Sequence, residues 1–165
     1  MLPIIVQSDT AVGLAGADAG LARRKAVLVA AGISPVQISP EDKLPSGLKL
    51  LFIAGLPREQ SKALAARAKA AGVLVNVEDV PALCDFHVPA MVRRGDLLIS
   101  ISTAGRAPGL AKLIREWIER RLGLEWRGHL DDVAAARSDW RDSGLGPAEV
   151  SRRTRKLVRD RELLP

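Results

Sequence analysis

A chain of 165 residues with 47% hydrophobic content is long enough to bury one substantial core with a small appendage, which excludes a disordered polymer. Its net charge of +6 favours an anionic partner, yet aromatic residues are only 3%, with no tyrosine, which argues against a platform that stacks nucleic-acid bases. Cys84 is the sole cysteine, so an internal disulfide and a zinc cluster are both excluded.

In chain order, PIIVQ (3–7) is expected to be a short strand and AVGLAG (11–16) a buried one. LARRKAVLVAAG (21–32) predicts a helix closed by Gly32, and SPVQIS (34–39) a further strand. A two-proline loop then leads to LKLLFIAG (48–55), whose unbroken apolar run is that of a central parallel strand. A helix over 58–72 and a strand over 73–79 complete the alternation, which predicts a Rossmann-like, doubly wound, mainly parallel α/β sheet. Beyond it, FHVPAMVRRGDLLISIST (86–103) has the form of a hairpin around RRGD. PGLAKLIREWIERRLG (108–123) is a helix with proline in its first turn, and the charged remainder is helical with a break near SGLGP. The expected organisation is a Rossmann-like domain over 1–82, a hairpin and helix region over 83–122, and a helical tail over 123–165. The tail has too few apolar positions to fold alone, so it is expected to pack on the body or across a homodimer. No apolar run reaches the roughly 18 residues of a membrane span, and MLPIIVQSD carries no basic leader, so a cytoplasmic protein without membrane partners is expected.

The stretch GADAGLARRK (16–25) lies where a dinucleotide turn belongs, between a strand and a helix. Such a turn wants G-x-G-x-x-G/A: one glycine for the bend, one for approach of the pyrophosphate, one for packing helix on strand. One register places Ala17, Ala19 and Ala22 at those positions; another uses Gly16 and Gly20 with a non-standard spacing. The candidate cofactor residues are therefore Ala17, Asp18, Ala19, Gly20 and Leu21, with Ser39 at the end of the second strand and Gly55 at the end of the third. An acidic ribose partner is expected about 20 residues on, and Glu41 and Asp42 lie slightly late for it.

NVEDVP (76–81) followed by DFHVPAMVRRGDLLISISTAGRAPGLAKLIREWIE resembles the precorrin-2 dehydrogenase/sirohydrochlorin ferrochelatase family, which includes the N-terminal module of siroheme synthases. The matching positions are Asn76, Val77, Asp79 and Pro81, then Phe86, Pro89, RRGDLLISIST, Gly105 and Pro108; Arg24, Lys25 and Ala26 match the family's first helix. The resemblance covers residues 2 to about 122 and implies that 1–82 is an NAD-binding domain and 83–122 a dimerisation region. It implies NAD-dependent dehydrogenation of precorrin-2 to sirohydrochlorin, with insertion of Fe²⁺ as a further activity of some members. It also implies that Asp79 is the acid/base group, since both steps release protons. Asn76, Thr103, Ala104, Gly105, Arg106 and Pro108 are implied at the tetrapyrrole, whose eight carboxylates suit a basic chain. Arg106 is either a propionate partner or a solvent-facing arginine.

Three departures concern the cofactor side: the alanines of the turn, AGLPRE (54–59) in place of the family's A-T-D/N-D, and a short link after the second strand. They keep open two alternatives, a chelatase-only or tetrapyrrole-binding homologue that has lost NAD, and a non-enzymatic basic dimer that binds nucleic acid; a recognition motif for the latter is not visible, and no nucleic-acid partner is expected. No resident metal site is expected. Cys84 reads as a half-buried small residue, His87 as partly buried and His129 as a surface residue. Arg152, Arg153, Arg155, Lys156, Arg159 and Arg161 read as a solvated helix face.

Overall fold

The computed structural model describes residues 4–164. The chain divides after Val88 into two compact units.

The first unit is built on a four-stranded, all-parallel sheet of β1 (Val12–Gly16), β2 (Val36–Gln37), β3 (Leu50–Ala54) and β4 (Leu74–Val77), in the order β2-β1-β3-β4. β1 and β3 pair from Val12↔Leu50 to Gly16↔Ala54, so both strands end at the same edge. The five residues of β3 are all buried, as a central strand covered on both faces requires. α2 (Arg58–Ala70) covers one face, where Leu64, Ala65 and Ala68 pack with Leu51, Ile53, Val75 and Val77. α1 (Asp18–Ala30) covers the other through Leu28 and Leu21, against Val12, Leu14, Leu50 and Phe52. The sheet is thus doubly wound. The strand order reverses between β1 and β3, β2 lying to one side of β1 and β3 to the other. Open α/β sheets of this kind bind ligands outside the carboxyl ends of such strands. Residues 38–49 join β2 to β3 with no helix or strand between them.

The expected strand over PIIVQ does not form. Ile4 to Gln7 are exposed coil, with Ile4 84% accessible, and Thr10 N–H donates to the Gln7 carbonyl in a turn. An apolar, β-branched run needs a ladder partner, and both sides of β1 are already taken by β2 and β3. Pro3 lies outside the described residues.

The second unit begins with the hairpin of β5 (Ala90–Arg94) and β6 (Leu97–Ile101), antiparallel with Arg94↔Leu97 closing a Gly95–Asp96 turn. α3 (Pro108–Arg121) follows, then α4 (Trp126–Asp142) and α5 (Pro147–Asp160). Arg94 caps the end of α3, donating from Nε to the Leu122 and Gly123 carbonyls at 2.6 and 3.0 Å. α4 packs on β6 of its own chain, and Val150 of α5 is buried with Thr154 accepting from Arg137 of α4 at 3.3 Å. Among the described residues, no helix is long and apolar enough to cross a membrane.

Candidate functional site

The first unit brings its sequence-marked residues to one edge of the sheet. Gly16 ends β1, Ala17 caps α1, and Gly55 follows β3. This junction is held at backbone contact. A Cβ on Gly16 would lie 2.1 Å from the Ala54 carbonyl oxygen, and one on Gly55, whose φ is +74°, would lie 2.3 Å from that of Ala17. Ala17 N–H donates to the Ala54 carbonyl at 3.1 Å. Gly20 is buried in the first turn of α1, where a Cβ would lie 2.8 Å from the Gly55 nitrogen. The bend and the helix–strand contact of a dinucleotide turn are therefore supplied by Gly16 and Gly20. Ala22, the packing residue of the other register, is exposed.

Whether this turn suits a dinucleotide can be judged from its backbone. Leu21 is the first residue of α1 whose N–H bonds back, to the Ala17 carbonyl at 3.0 Å, so the N–H groups of Asp18, Ala19 and Gly20 have no intrahelical acceptor. Asp18 and Ala19 are exposed, and the positive end of α1 opens at the strand-order switch. The turn thus fits a pyrophosphate. It also carries a carboxylate, because Asp18 sits there in the left-handed region at φ +49°. Ser39 is exposed just past β2, and the Pro40 and Asp42 carbonyls accept from Arg67 of α2, which fixes the loop carrying Glu41 and Asp42.

Asp79 stands two residues past β4, exposed, at φ +58°. It lines a cavity of about 370 Å³ with Gly55, Arg58, Ser61, Glu78 and Pro81 among its walls. The turn that presents it is tied down from beneath. Val77 N–H donates to the Cys84 sulfur at 3.2 Å, and the thiol reaches the Val77 and Val80 carbonyls at 3.2 and 3.5 Å. Cys84 is thus a structural tie. Asp85 accepts from Val75 N–H at 3.0 Å and pairs with Lys69 at 2.8 Å; chiefly the hydrogen bond from Lys69 holds its carboxyl below the usual 3.8.

The residue before Asp79 carries a role the sequence pattern did not mark. Glu78 reaches back to α1, 3.2 Å from Arg23 and 3.9 Å from Arg24, with its Oε2 3.0 Å from where a Gly20 Cβ would stand. Arg24 also lies 5.5 Å from the Phe52 ring centroid. The pairing of β3 with β4 brings position 78 to α1 across 55 residues of sequence, a separation at which no local pattern operates.

Asn76 is buried on β4, donating from Nδ2 to the Phe86 carbonyl at 2.9 Å, while its Oδ1 has no partner. Thr103, Ala104, Gly105, Arg106 and Pro108 belong to the second unit. There Thr103 Oγ1 accepts from Ala107 N–H at 3.2 Å, and Ala104 and Gly105 take φ of +55° and +75°, turning the chain into Pro108 of α3. Arg106 is exposed. Two histidine expectations are corrected. His87 is exposed in the loop before β5, because its neighbours Phe86 and Val88 take the buried positions on the α1 face. His129 is half-buried in α4, edge-on to Trp126 at 5.7 Å, where helical spacing stacks the two rings. At α5, Glu149 binds Arg152 and Arg153 at 2.7 and 3.0 Å, Lys156 binds Asp160 at 2.6 Å and Arg161 pairs with Asp132 of α4, so four of those six basic residues have a carboxylate partner.

A doubly wound parallel sheet, a glycine-tight strand–helix turn at its switch point and a carboxylate one strand beyond define an α/β module of the dinucleotide-binding type. Residues 17–90 match a family model described as "Putative NAD(P)-binding", and residues 94–121 match one described as sirohaem biosynthesis protein central. Siroheme synthase of Methylococcus capsulatus is 35% identical over 116 residues, 70% of this chain and 22% of that protein. Siroheme synthase of Ectopseudomonas mendocina is 42% identical over 110 residues, 58% of this chain and 24% of that protein. The chain thus spans less than a quarter of these relatives' length. In fold it is similar to SirC, a precorrin-2 dehydrogenase, with a TM-score of 0.73 at 15% identity over 96% of this chain and 89% of that one. Over residues 17–121 the chain is thus similar to the sirohaem biosynthesis proteins.

Proposed function

We propose that this protein dehydrogenates precorrin-2 to sirohydrochlorin with NAD⁺. The observation that carries the reading is the exposed, unpaired Asp79 at the cavity beyond β4, at the same sheet edge as the glycine-tight turn. NAD⁺, when bound, supplies the hydride acceptor. The backbone of Asp18, Ala19 and Gly20 would hold its pyrophosphate, with Ala17 and Leu21 shaping the turn and Gly55 and Ser39 flanking it. Loss of hydride from the tetrapyrrole leaves a proton to be removed, and the Asp79 carboxylate accepts it. Insertion of Fe²⁺, as substrate, needs two pyrrole protons to leave, and the same carboxylate can take them in turn. Asn76 and the Thr103–Pro108 turn are assigned to the tetrapyrrole, and the working form is a homodimer.

A second reading, a chelatase or tetrapyrrole-binding protein without NAD, is favoured by one observation: the Asp18 carboxylate stands at the turn where a pyrophosphate would bring negative charge. Calorimetric titration with NAD⁺, with and without sirohydrochlorin, separates the two. Saturable binding strengthened by sirohydrochlorin supports the dehydrogenase; no heat at millimolar NAD⁺ in either case sinks it.

A further inference from the structure

The cavity at Asp79 does not end there. A second cavity of about 340 Å³ shares Arg58, Val80 and Ala82 with it and adds Glu59, Lys62 and Leu83. The two form a trough along the start of α2. One wall carries Arg58 and Lys62, which are four residues apart and so lie on one face of the helix. Neither side chain makes an ion pair or hydrogen bond among the described residues. Asp79 lines the first of the two cavities together with Arg58. Of the other acids at the trough, Glu78 is held by Arg23 and Arg24, and Glu59 lies on α2 itself.

Both cations are exposed and without a protein partner among the described residues, so they are free to take an anion that enters the trough, and an arginine presents a planar fork matched to a carboxylate. We infer that Arg58 and Lys62 form a subsite that binds a side-chain carboxylate of the tetrapyrrole and so fixes the macrocycle against Asp79. This rests on the tetrapyrrole reading above. An anion here could also be a dinucleotide phosphate. Arg58 lies three residues past Gly55, which is in backbone contact with Ala17 of the β1–α1 turn, so the NAD⁺ arm of the test separates the two anions; the carboxylate is favoured because Asp79 lines the same cavity and the proposed proton transfer needs the macrocycle there.

The test uses the full-length chain and two fluorescent porphyrins of one macrocycle, uroporphyrin III with eight carboxylates and coproporphyrin III with four, together with NAD⁺. Arg58→Ala is expected to weaken uroporphyrin binding about tenfold, the loss of one charge-assisted contact, and Lys62→Ala by a smaller factor. Arg58→Lys should recover part of the loss, and NAD⁺ affinity should stay within about twofold. Circular dichroism checks each fold. Unchanged uroporphyrin affinity in the folded double variant overturns the subsite alone. A loss confined to NAD⁺ binding overturns it by reassigning the anion to the dinucleotide. If the unmodified chain binds neither porphyrin, the tetrapyrrole reading itself falls and takes the subsite with it.

Discussion

Asp79 is held in a backbone region that side chains seldom adopt, and aspartate tolerates it better than most residues. Its side chain has no partner, so the fold gains little from it. Asp79→Asn is therefore expected to melt within a few degrees of the parent while losing turnover. Asp79→Gly should likewise stay folded, since relief of a left-handed residue, about 1 kcal/mol, offsets the added chain entropy of glycine. An inactive, unfolded Asn variant would make Asp79 a turn residue, and an active one would exclude proton transfer. Asp18 raises the same question at the other end of the site. At φ +49° with an exposed carboxylate in the first turn of α1, it occupies a glycine-like conformation but brings charge. Asp18→Gly removes that charge, and Ala19→Gly removes a methyl beside it. Each is expected to tighten NAD⁺ several-fold by calorimetry, and equal or weaker binding in both would show that the turn does not receive the pyrophosphate.

At the scale of elements, the site exists because β1, β3 and α1 meet at backbone distance. Gly20→Ala should raise helix propensity by about 1 kcal/mol, yet the added Cβ would lie 2.8 Å from the Gly55 nitrogen and 2.9 Å from its Cα, which are backbone atoms that cannot turn aside. The clash dominates, and urea unfolding should show a net loss of about 1–3 kcal/mol. A gain in stability would mean that α1 does not pack as described. The loop behind Asp79 adds a pH dependence. The folded-state pKa of Asp85 is depressed, chiefly by the Lys69 hydrogen bond, so its contribution is present above the ordinary value of 3.8 and is lost as pH falls below it. Lys69→Met should flatten the acid limb of the melting curve below about pH 4, with little change at neutral pH because the pair is partly exposed. Much of this framework was legible beforehand. The apolar run of β3, the Gly32 and Gly72 stops of α1 and α2, and the hairpin followed by Pro108 are local signals, each written within a dozen residues. What was not legible is non-local: Glu78 reaching α1, Arg58 and Asp79 lining one cavity, and the choice of Gly20 over Ala22 all depend on which strands become neighbours. PIIVQ misled for the same reason, since its apolar, β-branched run is real and its ladder partner is missing.

At the scale of the whole molecule, the second unit leaves an apolar face without cover. Leu110, Leu113 and Trp117 lie at successive turns of α3 and are 53%, 62% and 49% exposed. Arg121 stacks over Trp117 at 3.9 Å, covering one side of the ring. Fully burying a leucine side chain stabilises by about 1.5–3 kcal/mol, and about half of that remains to be gained at each of these half-exposed residues, contributed twice by a two-fold axis, which makes this face the apolar centre of the proposed dimer. The proposed homodimer therefore makes a specific demand. Leu113→Glu combined with Trp117→Glu should be a folded monomer by light scattering at micromolar concentration, where the parent is a dimer. Truncation after Leu122 removes α4 and α5, exposes the β6 surface on which α4 packs, and should also abolish dimerisation while the parallel sheet stays folded. Trp117 supplies an internal check in a Trp126→Phe, Trp140→Phe background, where its emission should shift to the blue as the protein is concentrated through its dimerisation range. A parent that scatters as a monomer, with emission independent of concentration, would sink the dimer and leave this apolar face to a different partner.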